Sequence, residues 1–126
     1  MTKLLPLFAA LATLVVGAPV AAAHGNTTPR HGGVLQMSGD TSFELVVKGD
    51  DIEIYVVADH DEFFSEGLTG KLTVATNGVT TSAALEPAGG NRFVARGIKV
   101  ASGSSVAVSL TLEDGVTRIG TRLTIP

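Results

Sequence analysis

Three histidines, in a chain of 126 residues that contains no cysteine, are the side chains with the most chemistry to offer. His24 and His31 sit in the stretch AAAHGNTTPRHGG, and His60 sits in ADHDE. None falls at an inward position of an alternating apolar stretch, so each taken alone reads as a solvated surface histidine. Taken together they read as a metal site. If the chain is cut after Ala23, His24 becomes the amino terminus and offers its α-amine and its imidazole to one ion as a chelate. An α-amine has a pKa near ~8, so it deprotonates for coordination at modest cost. A further nitrogen from His31 or His60 completes a set that favours Cu(II) and is acceptable to Ni(II) or Zn(II). Asp59 and Asp61 flank His60, with Glu62 and Glu66 close behind. They can add a carboxylate ligand or fix the imidazole tautomer; the plainer alternative is a charged loop that keeps a strand end soluble.

Residue types exclude as well as suggest. A Cu(I) site wants thiolates or thioethers, and beyond residue 23 the chain has only Met37. The run DHDEFFSEG places Phe63 and Phe64 where a calcium loop needs oxygen ligands and a central glycine; those phenylalanines read as a cap on one end of the domain. Gly32-Gly33 is too short for a phosphate loop, and no G-x-S-x-G elbow is present. No catalytic residue is assigned and the protein is not expected to be an enzyme. A copper monooxygenase built on an amino-terminal histidine is disfavoured because there is no tryptophan and Tyr55 is the lone tyrosine, too little for a sugar platform. The net charge is −3 and the basic residues are scattered, which makes nucleic acid and anionic membranes poor partners.

Three segments must position these residues. Residues 1–23 read as a cleavable signal peptide: Lys3 supplies the charge, Leu4 to Val16 the apolar run, and Ala21 to Ala23 the small-residue exit. The apolar run falls short of the ~20 residues of a membrane anchor, so the processed protein is not expected to insert. Residues 24–33 lack apolar periodicity and read as an extended arm. Residues 34–126 form one domain dominated by period-two alternation. SFELVVK and DIEIYVVAD flank Gly49-Asp50 as a hairpin. GKLTVAT, VTTSAALE, NRFVAR with the following IKV, SVAVSLTL and TRIGTRLTI supply further strands, punctuated by Asn77-Gly78, Gly89-Gly90 and Asp114-Gly115. The alternation places Phe43, Leu45, Ile52, Ile54, Val56, Leu72, Val74, Val108 and Leu110 in the core. Seven or eight short strands in this length predict an all-β fold, an immunoglobulin-like antiparallel β-sandwich, with a small barrel as the alternative.

Several of these stretches carry a resemblance. HGGVLQ, FELVV, DIEIYVVADHD, GKLTVATNG and LEPAGGNRFVARG look like a group of small periplasmic proteins that accompany heavy-metal efflux systems of the resistance-nodulation-division type. They are also similar to the amino-terminal region of some periplasmic adaptor subunits of those pumps. The likeness runs over roughly His31 to Ile125, and its distinctive pieces are His31-Gly32-Gly33, Asp59-His60 and Pro87 to Asn91. The run Asp61-Glu62-Phe63-Phe64 departs from that pattern, where a glycine-containing turn is usual. The resemblance implies a periplasmic setting, a role in metal resistance and an efflux adaptor as partner. The function expected is therefore a metal-binding or metal-delivering accessory protein. The competing reading is an interaction module that docks on an envelope component through a sheet edge and for which metal is irrelevant.

Overall fold

In a computed structural model, residues 28–59 and 61–126 are described. Residues 1–23, expected to form a signal peptide, and His24 and His60 lie outside the described residues. Within them the fold is all-β and antiparallel, with no helix. Nine strands follow one another: β1 (Val34–Ser38), β2 (Thr41–Lys48), β3 (Asp51–Ala58), β4 (Asp61–Glu62), β5 (Thr69–Thr76), β6 (Val79–Pro87), β7 (Arg92–Ala95), β8 (Ser105–Thr111) and β9 (Arg118–Thr124).

Hydrogen bonding runs in the order β1-β2-β3-β7-β6-β5-β8-β9, with β4 added to β3. The two ends of this path, β1 and β9, come into contact, so the sheet nearly closes on itself in the manner of a barrel. β6 hands the path from one half to the other. Val79 to Leu85 of β6 pair with Thr76 to Gly70 of β5, whereas Glu86 and Pro87 pair with Val94 and Phe93 of β7.

The expected hairpin is present: Lys48 pairs with Asp51 across Gly49-Asp50. A tight Asn77-Gly78 turn joins β5 to β6, and both residues have positive φ, as a type I′ turn requires. All nine residues assigned to the core by alternation are buried, with Phe43, Ile52, Ile54, Val56, Leu72 and Leu110 fully so. Phe93, Leu85, Val106 and Leu123 join them.

Val34–Ser38, which the sequence does not single out as a strand, pairs with β2 over a full register from Thr41 to Leu45. Two local expectations are corrected. The strand expected to end at His60 stops at Ala58; Asp59 turns the chain with φ 47°. Ile98 to Val100 do not continue β7: the chain bends at Gly97, although Ile98 is buried against the core.

Alternation makes Ser42, Glu44, Val46, Glu53, Tyr55 and Val57 the outer row of the β2–β3 hairpin. Yet Ser42, Glu44 and Glu53 are buried like the inner row. Something covers this face, and that covering builds the site.

Candidate functional site

Over Glu44 the cover is the arm, whereas Glu53 is met by Arg92 and Tyr55. Gly32 adopts φ 71°, a left-handed turn that L side chains rarely take. Gly33 then lies directly on β2: a Cβ there would meet the Leu45 carbonyl and come within 2.9 Å of Val46 Cγ2. Together the two glycines bend the chain over the sheet and let its backbone touch down. Residues 30–33 are thereby laid over Glu44.

Glu44 is 3% exposed and fully engaged. Its Oε1 accepts from the Arg30 amide at 2.9 Å, and its Oε2 from the amides of His31 at 2.8 Å and Gly33 at 3.0 Å. His31 Nδ1 stands 3.0 Å from Oε1. Burial by itself pushes the Glu44 pKa up, but the bonds from Gly33, Arg30 and His31 outweigh it and hold the group below its ordinary value. Glu44 is therefore an ionised carboxylate that can only accept. It follows that His31 Nδ1 carries a hydrogen, and in the neutral ring the free lone pair belongs to Nε2.

The His31 ring also lies on Tyr55, with centroids 3.6 Å apart and planes 8° apart. Glu44 and Tyr55 are cross-strand partners, so one pair of neighbours grips the imidazole by edge and by face. Tyr55 is held in turn. Its hydroxyl donates to Glu53 Oε2 at 3.1 Å, and Arg92 Nη1 donates to the same oxygen at 2.8 Å. Arg92 Nη2 and Nε reach the Ala88 carbonyl at 2.9 and 3.3 Å. Burial first, and then the bond to Glu53, raise the Tyr55 pKa. Burial opposes ionisation of Glu53, but the Arg92 and Tyr55 bonds prevail and lower its pKa.

His31, Glu44 and Tyr55 border a recess of about 130 Å3, together with Arg30, Ser42, Val57, Glu62 and Asn91. Glu62 reaches it because β4 pairs Glu62 with Val57 on the outer row. Asp61 pairs with Ala58 and belongs to the opposite row. Asp59 occupies the turn between β3 and β4 and does not line the recess. Of the five residues selected as metal ligands, His31 alone is thus placed at the recess. Asp59 and Asp61 are placed away from it, and His24 and His60 lie outside the described residues. Among the described residues no three His, Cys, Asp or Glu side chains form a group that could hold a metal ion. A complete ion site at this recess needs donors beyond His31 and Glu62.

Sequence reasoning passed over Glu44 and Tyr55. Period two marked them correctly as outward residues, but outward is not the same as solvated when an arm returns over the strand. The available signal was the pair Gly32-Gly33 just before a strand, which marks a close backbone approach. Comparison of the chain with protein-family models, curated proteins and solved structures finds no match.

Proposed function

We propose that this is a periplasmic metal-binding accessory protein, exported through cleavage after Ala23, that buffers a divalent transition metal or delivers it to an efflux adaptor. The observation that carries the reading is the grip on His31. A metal-binding histidine commonly donates its other ring nitrogen to a carboxylate, which fixes the tautomer and aims the ligand nitrogen. The Glu44–His31 pair has that form, with Nε2 left over on a half-exposed ring beside Glu62.

The donors that complete the set are the α-amine and imidazole of His24, with the imidazole of His60 as a further nitrogen. His24 stands seven residues before His31, within reach of the same recess for an extended arm. Nitrogen donors with one carboxylate suit Cu(II) first, and Zn(II) or Ni(II) after it. The chain's own residues bind, orient and release the ion; no bond-making chemistry is assigned to it.

For the fold we retain an immunoglobulin-like sandwich, supported by the handover at β6, which divides the path into a β1-β2-β3-β7 half and a β5-β8-β9 half.

The test is a Cu(II) titration, by calorimetry or electron paramagnetic resonance, of protein beginning at His24, protein extended by one residue, His31→Ala and His60→Ala. The extension converts the α-amine of His24 into an amide and leaves every imidazole in place. Binding is expected to weaken at least about tenfold in the extended form and in His31→Ala, and to fall with pH as protons compete for the nitrogens. Equal affinity across all four proteins would overturn the reading.

A further inference from the structure

The loop that carries Glu62 to the recess presents a second surface on its other side. Phe63 packs against the core, while Phe64, next to it, is 71% exposed. Leu68 and Leu112 complete an apolar groove of about 380 Å3, within the ~300–1,000 Å3 at which proteins seat small groups or anchor side chains. Glu113 and Asp114 close one end of it. Glu113 also borders Gly67, the residue that follows Glu66 in the loop. Val116, 80% exposed, lies in the same β8–β9 turn as Glu113 and Asp114.

Charge identifies the occupant. Among the described residues no basic side chain lines the groove; Lys71 and Arg118 border a different recess. Asp114 is committed to its own turn, where it accepts from the Val116 and Thr117 amides and from the Thr117 hydroxyl. Glu66 and Glu113 form no ion pair among the described residues. An exposed aromatic in an apolar groove, rimmed by uncompensated carboxylates, is complementary to an apolar anchor flanked by cations. A second copy of the same face fits poorly, because it would set Glu66 and Glu113 against their own counterparts.

We infer that the Phe63–Leu68 loop and the β8–β9 turn form a docking groove for a partner segment that presents a large apolar side chain between Lys or Arg residues. Phe64 is the anchor contact, and Glu66 and Glu113 select the charge. This inference uses none of the proposed metal ligands, so it stands or falls separately from metal binding.

The experiment uses the purified protein, isotope-labelled for nuclear magnetic resonance, and three synthetic peptides: Leu-Leu flanked by lysines, Leu-Leu flanked by glutamates, and Ser-Ser flanked by lysines. The lysine-flanked Leu-Leu peptide is expected to bind at least about tenfold more tightly than the other two. Its shifts should map to Phe63 to Leu68 and Leu112 to Val116. Phe64→Ser, at an exposed position that leaves the fold intact, should remove that binding. The double variant Glu66→Lys/Glu113→Lys should transfer preference to the glutamate-flanked peptide. Three results would overturn the inference: equal binding of all three peptides, shifts that map elsewhere, or a double variant with unchanged preference. Concentration-dependent self-association abolished by Phe64→Ser would overturn it too, since the occupant would then be a second copy.

Discussion

The imidazole of His31 lies flat on the phenol of Tyr55, 3.6 Å between centroids and 8° from parallel, although the two residues belong to an irregular arm and to the middle of a strand. The contact fixes where the arm ends up, and Glu44 supplies the electrostatic half of the same attachment. Most of what is expected of this face follows from that attachment.

Glu44→Ala should be among the more damaging single changes outside the apolar core. It removes the acceptor for three backbone amides and one imidazole while leaving those donors partly buried. A loss of about 3 kcal/mol is expected from bonds to a charged group, read from urea unfolding with the slope unchanged. Glu44→Gln keeps one acceptor oxygen and should cost less. Equal stability of Glu44→Ala and the parent protein would mean that the arm is not held by this carboxylate.

Stability should decline on the acid side. Glu44 and Glu53 both have folded-state pKa values below the ordinary 4.5 of a glutamate. A carboxylate with a depressed folded pKa contributes stability that is complete above the unfolded value and is lost as pH falls through the folded one. The denaturation midpoint should therefore hold down to about pH 4.5 and drop below it. Glu44→Gln should flatten that drop, as measured by chemical denaturation at stepped pH.

Tyr55 gives the opposite limb. It is the chain's single tyrosine, so phenolate absorbance reports it alone. Burial and the Glu53 bond raise its pKa above the ordinary 10.0, and the phenolate should appear later than in the unfolded chain. Here the stability is present below the unfolded value and is lost as pH rises through the folded one. Glu53→Gln should bring the titration back toward the ordinary value.

Gly33→Ala tests the touchdown of the arm. The added methyl meets the Leu45 backbone carbonyl, which belongs to the sheet and cannot move aside. The arm should lift and the His31 ring should leave Tyr55. Proton resonances of the His31 ring, shifted upfield by stacking in the parent, should return to ordinary positions while the core resonances stay put.

Ile54→Ala tests the interior. Ile54 is fully buried, and its truncation should cost roughly 2–5 kcal/mol. Thermal and urea unfolding should agree on the loss. A change below about 0.5 kcal/mol, the level of ordinary surface substitutions, would contradict the assigned strand face.

What the sequence determined by itself is the class of fold and the inner face of its strands. Period two is a local property: Ile52, Ile54 and Val56 point one way wherever the strand goes, and burial of that row follows from its apolarity. The hairpin at Gly49-Asp50 is local for the same reason. What only the tertiary structure decided is the state of the other row. Glu44 and Tyr55 alternate outward as their positions require, but whether an outward residue meets water depends on which distant segment lies over it. That segment is the arm, brought down by the turn at Gly32 and the close approach at Gly33. It converts a surface glutamate into a buried anion that binds three amides and orients a histidine. The near-closure of β1 on β9, the crossing at β6, and the placement of Glu62 rather than Asp61 beside His31 were undecided for the same physical reason. Pairing partners and row assignments between strands are set by non-local register, which no periodicity within a single segment contains.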